Sequence, residues 1–370
     1  MTSSAVRDVK GMELSNKRIL IIKQSSLGDV IHTFPLIHAL KRRYPTVSVG
    51  WVVERGFVHL VGQDSAVDTV YPIHIPSTSD PQAGKWSYLH AFFATLTTLF
   101  RLRRQFRSQP YDIVLDLHAS FRSGLLGLTN PGGVRVGFAD AREGNTWFQH
   151  RLVSNIDSHP HAIAKNLLFC TLFDCEAEAE DFYLCSSPED QAQVERFLGE
   201  AGICPDERIV YVNPTARWQS KFWIASRWSE LCDLLIKAGL RPVFGGSGND
   251  VSHISEIAKA MTEKAVVAAG RLNLTASVAL MKKAAVYVGV DTGPMHIAAM
   301  VGTPVVALFG PTHPERVGPY GVQSAVIQAE NLDCLCCRKR VCEHQRCMQG
   351  IAVATVYDRV MAFMGPVTPP

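Results

Sequence analysis

Arg18-Ile-Leu-Ile-Ile-Lys23 runs almost directly into Ser25-Ser-Leu-Gly-Asp-Val-Ile-His-Thr-Phe-Pro35, and this passage decides the fold. The first part is short, apolar and β-branched, as expected of a strand buried on both faces. After it, Val30, Ile31, Phe34, Ile37, Leu40 and Tyr44 recur at helical spacing, which predicts one helix that Pro45 stops. Further along the chain, residues 47–53, 67–73 and 113–117 read as strands, with an amphipathic helix over about 86–107. This alternation predicts the α/β class, a parallel sheet covered by helices.

A helix is expected over 161–172. Glu176-Ala-Glu-Ala-Glu-Asp181 is then the sharpest composition shift in the chain, and the domain junction is placed there. The alternation restarts with strands at 209–212, 241–244, 285–290 and 305–309. Helices are expected at 228–238, 251–261, 275–283, from Met295, and at 353–364. Two doubly wound halves are the expectation: a first domain over 1–175, a second over 176–350, and a tail over 351–370 that returns to the first domain.

The chain has 370 residues, 47% hydrophobic and 19% charged, which excludes a single stapled module, wholesale disorder and collagen-like repeats. Its 37 basic and 34 acidic residues leave only +3, so charge gives no reason to expect a nucleic-acid partner. Charges interrupt the first twenty residues, so no export signal is expected. The apolar stretch 295–309 is broken by His296, Gly302 and Pro304 and reads as a buried helix and strand. The ten cysteines are expected to be reduced thiols in a cytoplasm.

In open parallel sheets ligands lie beyond the carboxyl ends of the strands, so four loops draw attention. In the first, Gly28 permits close approach, Ser26 offers a hydroxyl, and Asp29, His32 and Thr33 share one helical face. Asp29 could accept a proton from an attacking hydroxyl, or could simply cap the helix. In the second, Thr215 and Ser220 accompany Arg217 and Lys221, a set suited to a phosphate leaving group.

The third, Gly245-Gly-Ser-Gly-Asn-Asp250, fits neither the dinucleotide fingerprint nor a P-loop, and reads as a turn with a cap or a ribose site. The fourth, Val290-Asp-Thr-Gly-Pro-Met-His296, places Thr292 and Gly293 at a helix N-terminus that attracts anions, with Pro294 at its first position. Asp291 beside them suits sugar hydroxyls. His296 reads as a core histidine or a site residue, and the run 310–315 could close the same pocket.

Taken together, Lys23-Gln-Ser-Ser-Leu-Gly-Asp-Val-Ile-His-Thr-Phe-Pro35, Trp51-Val-Val-Glu-Arg-Gly-Phe57 and Gly289-Val-Asp-Thr-Gly-Pro-Met-His296 with Phe309-Gly-Pro-Thr312 resemble the heptosyltransferases of glycosyltransferase family 9, most closely their heptosyltransferase I branch. The resemblance implies a GT-B architecture, two Rossmann-like domains facing a cleft, acceptor mostly on the first and donor on the second. It implies inverting transfer of heptose from ADP-heptose to the 3-deoxy-octulosonic acid (Kdo) region of inner-core lipopolysaccharide, or to Kdo-lipid A. By position Asp29 matches the family's base and Lys221 the lysine at the donor phosphates. Asp291 matches the heptose ligand, Thr292 and Gly293 the phosphate amides, and Thr215 a donor-loop threonine. Asp250 loosely occupies a ribose position and Leu272 an adenine contact. His296 joins the donor set, and Ser26, Gly28, His32, Arg122 and Arg142 the acceptor set, with Lys165 a further acceptor-side cation.

No D-x-D occurs, so no catalytic metal and no cofactor are expected. Cys334, Cys336, Cys337, Cys342 and Cys347 with His344 are enough soft ligands for zinc, but complete paired knuckles are missing. The family's basic acceptor loop is reduced to Lys85 within residues 77–88. Arg101, Arg103, Arg104 and Arg107 either complement a helix C-terminus or hold the chain against the anionic inner membrane surface. A nucleotide-sugar epimerase of the same fold, and a family 9 transferase using another sugar, are the alternatives.

Overall fold

Two six-stranded, wholly parallel sheets organise the computed structural model, which describes residues 11–76, 85–154 and 161–365. The first contains β1 (Arg18–Ile22), β2 (Ser48–Glu54), β3 (Thr69–Ile73), β4 (Ile113–Asp116), β5 (Val134–Phe138) and β6 (Arg151–Val153), in the order β3-β2-β1-β4-β5-β6. The second contains β7 (Ile209–Asn213), β8 (Arg241–Phe244), β9 (Val266–Val267), β10 (Val286–Val290), β11 (Val305–Leu308) and β12 (Ser324–Ile327), in the order β12-β11-β10-β7-β8-β9. Counted from its own first strand, each sheet has the doubly wound order 3-2-1-4-5-6. The order reverses between β1 and β4 in one sheet and between β7 and β10 in the other.

The central strands are apolar on both faces because helices cover both. Ile19, Leu20, Ile21 and Ile22 of β1 are all buried, as is every residue of β10. The first core joins Leu20, Ile22 and Val52 to Leu102 and Phe106 of the helix Lys85–Ser108.

The single helix expected after β1 is two: Leu27–Ile31, then Phe34–Arg43 with Thr33 as its N-cap. Pro35 causes the break, since its ring has no N–H and would clash with the preceding turn, whereas it fits the start of a new helix. Pro294 likewise occupies the second rather than the first position of Gly293–Met300.

Two compact units meet between Asp181 and Phe182. The acidic stretch expected at the junction is bound to the first unit. Arg42 pairs with Glu178 at 2.8 Å, Asp181 at 3.0 Å and Glu180 at 3.4 Å, and His38 Nδ1 lies 2.7 Å from the Asp181 carbonyl. The terminal helix Val353–Met364 places Val353, Val356, Val360 and Met364 in the core of the second unit. Among the described residues no helix is long and apolar enough to cross a membrane.

Candidate functional site

In the first unit the loops after β1 and β4 flank the point where strand order reverses. Lys23, only 8% exposed, leaves β1 and donates to the Leu117 carbonyl beyond β4 at 2.8 Å, bridging the two loops. The same Lys23 Nζ lies 3.2 Å from Asp29 Oδ1. Trp51 Nε1 donates to the Lys23 carbonyl at 3.1 Å and the Glu54 amide to that of Gln24 at 3.0 Å, tying the loop to β2.

Asp29 stands at the third position of its short helix, where Oδ2 accepts from the Ser26 amide at 3.0 Å and the Ser26 hydroxyl at 2.9 Å. The cap and the candidate base are therefore one group. Its side chain keeps 44% of its surface, enough for an incoming hydroxyl to reach it. Burial pushes its pKa up, but Lys23, His32 and the Ser26 hydrogen bonds outweigh that and hold it well below the usual carboxylate range.

His32 does not line an open helical face with Thr33. It caps the helix, is buried, and packs 5.7 Å centroid to centroid from His161, while Thr33 Oγ1 donates back to the Asp29 carbonyl at 3.0 Å.

The loop after β4 supplies groups that the sequence alone does not single out. His118 is pushed down to about 4, first by burial and then by the charge of Lys23, so it is neutral at pH 7. Arg122 is close enough to add to that shift. Asp116, at the end of β4, fixes this loop. Its Oδ1 accepts from the amides of His118 at 3.1 Å and Ala119 at 3.0 Å, and its Oδ2 from Asn145 at 2.7 Å, Ser123 at 2.9 Å and Gln149 at 3.2 Å. Burial nevertheless raises its pKa. The one signal in the sequence is an acid closing an apolar strand.

Arg142 is exposed in a turn whose Glu143 accepts from the Phe121 amide at 3.2 Å, beside the helix that carries Arg122. Lys165 is engaged with Asp140 at 2.6 Å. Of the loop expected over 77–88, residues 77–84 lie outside the described residues and 85–88 belong to the helix Lys85–Ser108.

The second unit repeats the arrangement at its own switch point. Lys221, on the loop after β7, donates to Asp291 Oδ2 at 2.6 Å and to the Asp291 carbonyl at 3.0 Å, just beyond β10. Thr312 Oγ1 donates to the same carboxylate oxygen at 2.6 Å, and the Lys221 ammonium sits 4.8 Å from the Trp218 ring centroid. The pair is largely buried, at 14% and 5% side-chain exposure, so its members position each other closely. Thr292 caps the helix Gly293–Met300, and His296 is buried within it.

Thr215 is buried in the Lys221 loop and Arg217 is exposed on it. Asp250 Oδ2 accepts from the Ser247 amide at 2.7 Å and the Ser247 hydroxyl at 2.6 Å, which makes the glycine turn a helix cap. A side chain at Gly245 would overlap the Tyr211 hydroxyl, and Gly246 has φ +154°, so both positions need glycine. Leu272 is buried at the end of the loop after β9, just before the helix Leu274–Lys283, 8% exposed.

The cysteine-rich segment frames the Lys221 site. Ser220 Oγ donates to the Lys339 carbonyl at 2.6 Å, the Arg338 amide to the Pro311 carbonyl at 2.7 Å, and the Cys336 thiol to the Thr312 carbonyl at 3.2 Å. All ten cysteines are free, and no His, Cys, Asp and Glu group among the described residues is arranged to hold a metal ion.

The family model for glycosyltransferase family 9 (heptosyltransferase) matches residues 99–348. Lipopolysaccharide heptosyltransferase 1 of Pseudomonas aeruginosa is 29% identical over 89% of this chain and 88% of its own. The glycosyl transferase family 9 structure from Veillonella parvula superposes with TM-score 0.80 at 21% identity, covering 96% of this chain and 99% of that one. E. coli heptosyltransferase WaaC with ADP gives TM-score 0.69 at 22% identity over 94% and 99%. These structural likenesses show the fold, which is the GT-B architecture of paired Rossmann-like units. With the family model matching two thirds of its length, the chain belongs to glycosyltransferase family 9, the heptosyltransferases, and is a glycosyltransferase rather than an epimerase.

Proposed function

We propose that this enzyme transfers a heptose from ADP-heptose to the Kdo region of inner-core lipopolysaccharide, with inversion at the anomeric carbon. Asp29 takes the proton of the acceptor hydroxyl as that oxygen attacks. A carboxylate with a depressed pKa is a weak base, which suits a displacement in which the leaving diphosphate departs early and the hydroxyl proton is lost late. Lys221 and the amides of Thr292 and Gly293 take up the charge developing on ADP, and Asp291 orients the heptose hydroxyls.

Thr215, Asp250, Leu272 and His296 complete the donor site. Ser26, Gly28, His32, Arg122 and Arg142 belong to the acceptor side, Ser26 and His32 by holding Asp29 in place. The acceptor is a lipid, so the enzyme works as a peripheral protein on the cytoplasmic face of the inner membrane.

The observation that carries this reading is the lysine and acid set at the strand-order reversal of each sheet. The experiment is incubation of the purified enzyme with ADP-heptose and Kdo-lipid A, reading ADP release and the anomeric configuration of the product by NMR. ADP release with inversion supports the proposal. No release, or retention of configuration, overturns it.

A further inference from the structure

The helix Lys85–Ser108 is apolar on both faces. Ala91, Thr98, Leu102 and Phe106 are buried on one side. On the other, Trp86 is 74% exposed, Leu89 48%, Phe93 60% and Phe100 74%. At about 100° per residue, positions 86, 89, 93, 100, 104 and 107 fall within a sector of roughly 60° opposite the buried stripe. One outward stripe is thus aromatic over most of its length and ends in Arg104 and Arg107.

Residues 85–108 contain no Asp or Glu, and no carboxylate among the described residues pairs with an arginine of this helix. Arg101 donates to the Pro72 carbonyl and Arg103 to the Leu128 carbonyl, which anchors the basic end of the helix to the first unit. An exposed apolar stripe of this size on a folded surface marks an interaction site.

We infer that this helix is a membrane-docking element that dips its amino end obliquely into an anionic bilayer without crossing it, with Trp86, Leu89, Phe93 and Phe100 toward the acyl chains and Arg104 and Arg107 against the headgroups. Charge complementarity selects the occupant, because a stripe of aromatic residues followed by unpaired cations matches the layered polarity of such a bilayer. The helix does not span the membrane. The inference extends the lipid-acceptor reading above by naming the surface that meets the lipid, but vesicle binding tests it without donor or acceptor.

The full chain is sedimented with phosphatidylcholine vesicles with and without phosphatidylglycerol. Binding is expected to the mixed vesicles and to weaken with salt. W86S/F93S/F100S lowers partitioning at least tenfold on both compositions. R104Q/R107Q lowers it about twenty-five-fold, at roughly fivefold per arginine, only where phosphatidylglycerol is present. All the substituted positions are exposed, so an unchanged melting temperature verifies the fold of each variant.

Failure of the wild type to sediment with mixed vesicles overturns the inference, as does undiminished binding by the aromatic variant. Sedimentation velocity showing a wild-type dimer that W86S/F93S/F100S converts to monomer, without change in vesicle binding, would assign the stripe to a second copy instead. Absence of ADP release in solution would strike the transferase reading and leave the vesicle result standing.

Discussion

Lys23 Nζ stands 3.2 Å from Asp29 Oδ1 while donating at 2.8 Å to the Leu117 carbonyl, so the cation that keeps the acid ionised is itself anchored to the neighbouring loop. Asp29 is held below its ordinary value of 3.8, so it is a carboxylate across the whole range in which activity is measured. Its contribution to stability is accordingly present above that ordinary value and is lost as pH falls through the lower folded value. His118, pushed down to about 4, is neutral over the same range. The wild-type profile of kcat/KM is therefore expected to show no acid limb between pH 5 and 7.5. Lys23→Met removes the counter-charge and moves the limb upward. A wild-type limb near 6.5, or an unmoved profile in the variant, would count against this electrostatic account.

Lys221 and Asp291 are given different ligands, and calorimetric titration separates them. Lys221→Met is expected to weaken ADP and ADP-heptose alike, because the phosphates are common to both. It also leaves the Asp291 carboxylate buried without its cation, a loss of about 3–5 kcal/mol that appears as a lower melting temperature. Asp291→Asn is expected to weaken ADP-heptose markedly more than ADP. Equal weakening of the two by Asp291→Asn would remove its assignment to the sugar.

Asp116 is a positioning residue. Truncation to Ala removes the acceptor that Ser123, Asn145, Gln149 and the amides of His118 and Ala119 share, at a cost of about 3 kcal/mol in chemical denaturation. Loss of the loop geometry should also lower kcat. Ser123→Ala removes a single donor and is expected to cost about 1 kcal/mol with little change in kcat. Denaturation midpoints of both variants within experimental error of the wild type would contradict the network's role.

The legible parts of the fold are those where burial is complete. β1, β4, β7, β8, β10 and β11 are continuous apolar runs because both faces are covered, and the sequence marks them as strands. β5, β6, β9 and β12 carry no such mark. The last three are edge strands of only 3, 2 and 4 residues, too short for their residues to stand out as strands in the sequence. The helix Pro188–Glu200 is also absent from the expectations, although Ser187, Pro188 and Asp190 spell out its cap.

At the site, Asp29, Lys221 and Asp291 can be picked from their loops because each follows a strand. Which groups they pair with cannot. Lys23 looks like the end of a strand, and the bonds from Leu117 and Thr312 arise from residues far apart in sequence that only the sheet order brings together. Asp29 reads as cap or base because spacing cannot distinguish two duties that the folded loop assigns to one carboxylate.

The most direct test is Asp29→Asn, which retains an oxygen for the Ser26 cap and removes the basic charge. Turnover is expected to fall about 10²–10⁴-fold, the range for a lost general base, while the Kd for ADP-heptose changes less than about twofold. Turnover preserved in this variant, or donor affinity falling as far as turnover, would show that Asp29 is not the base.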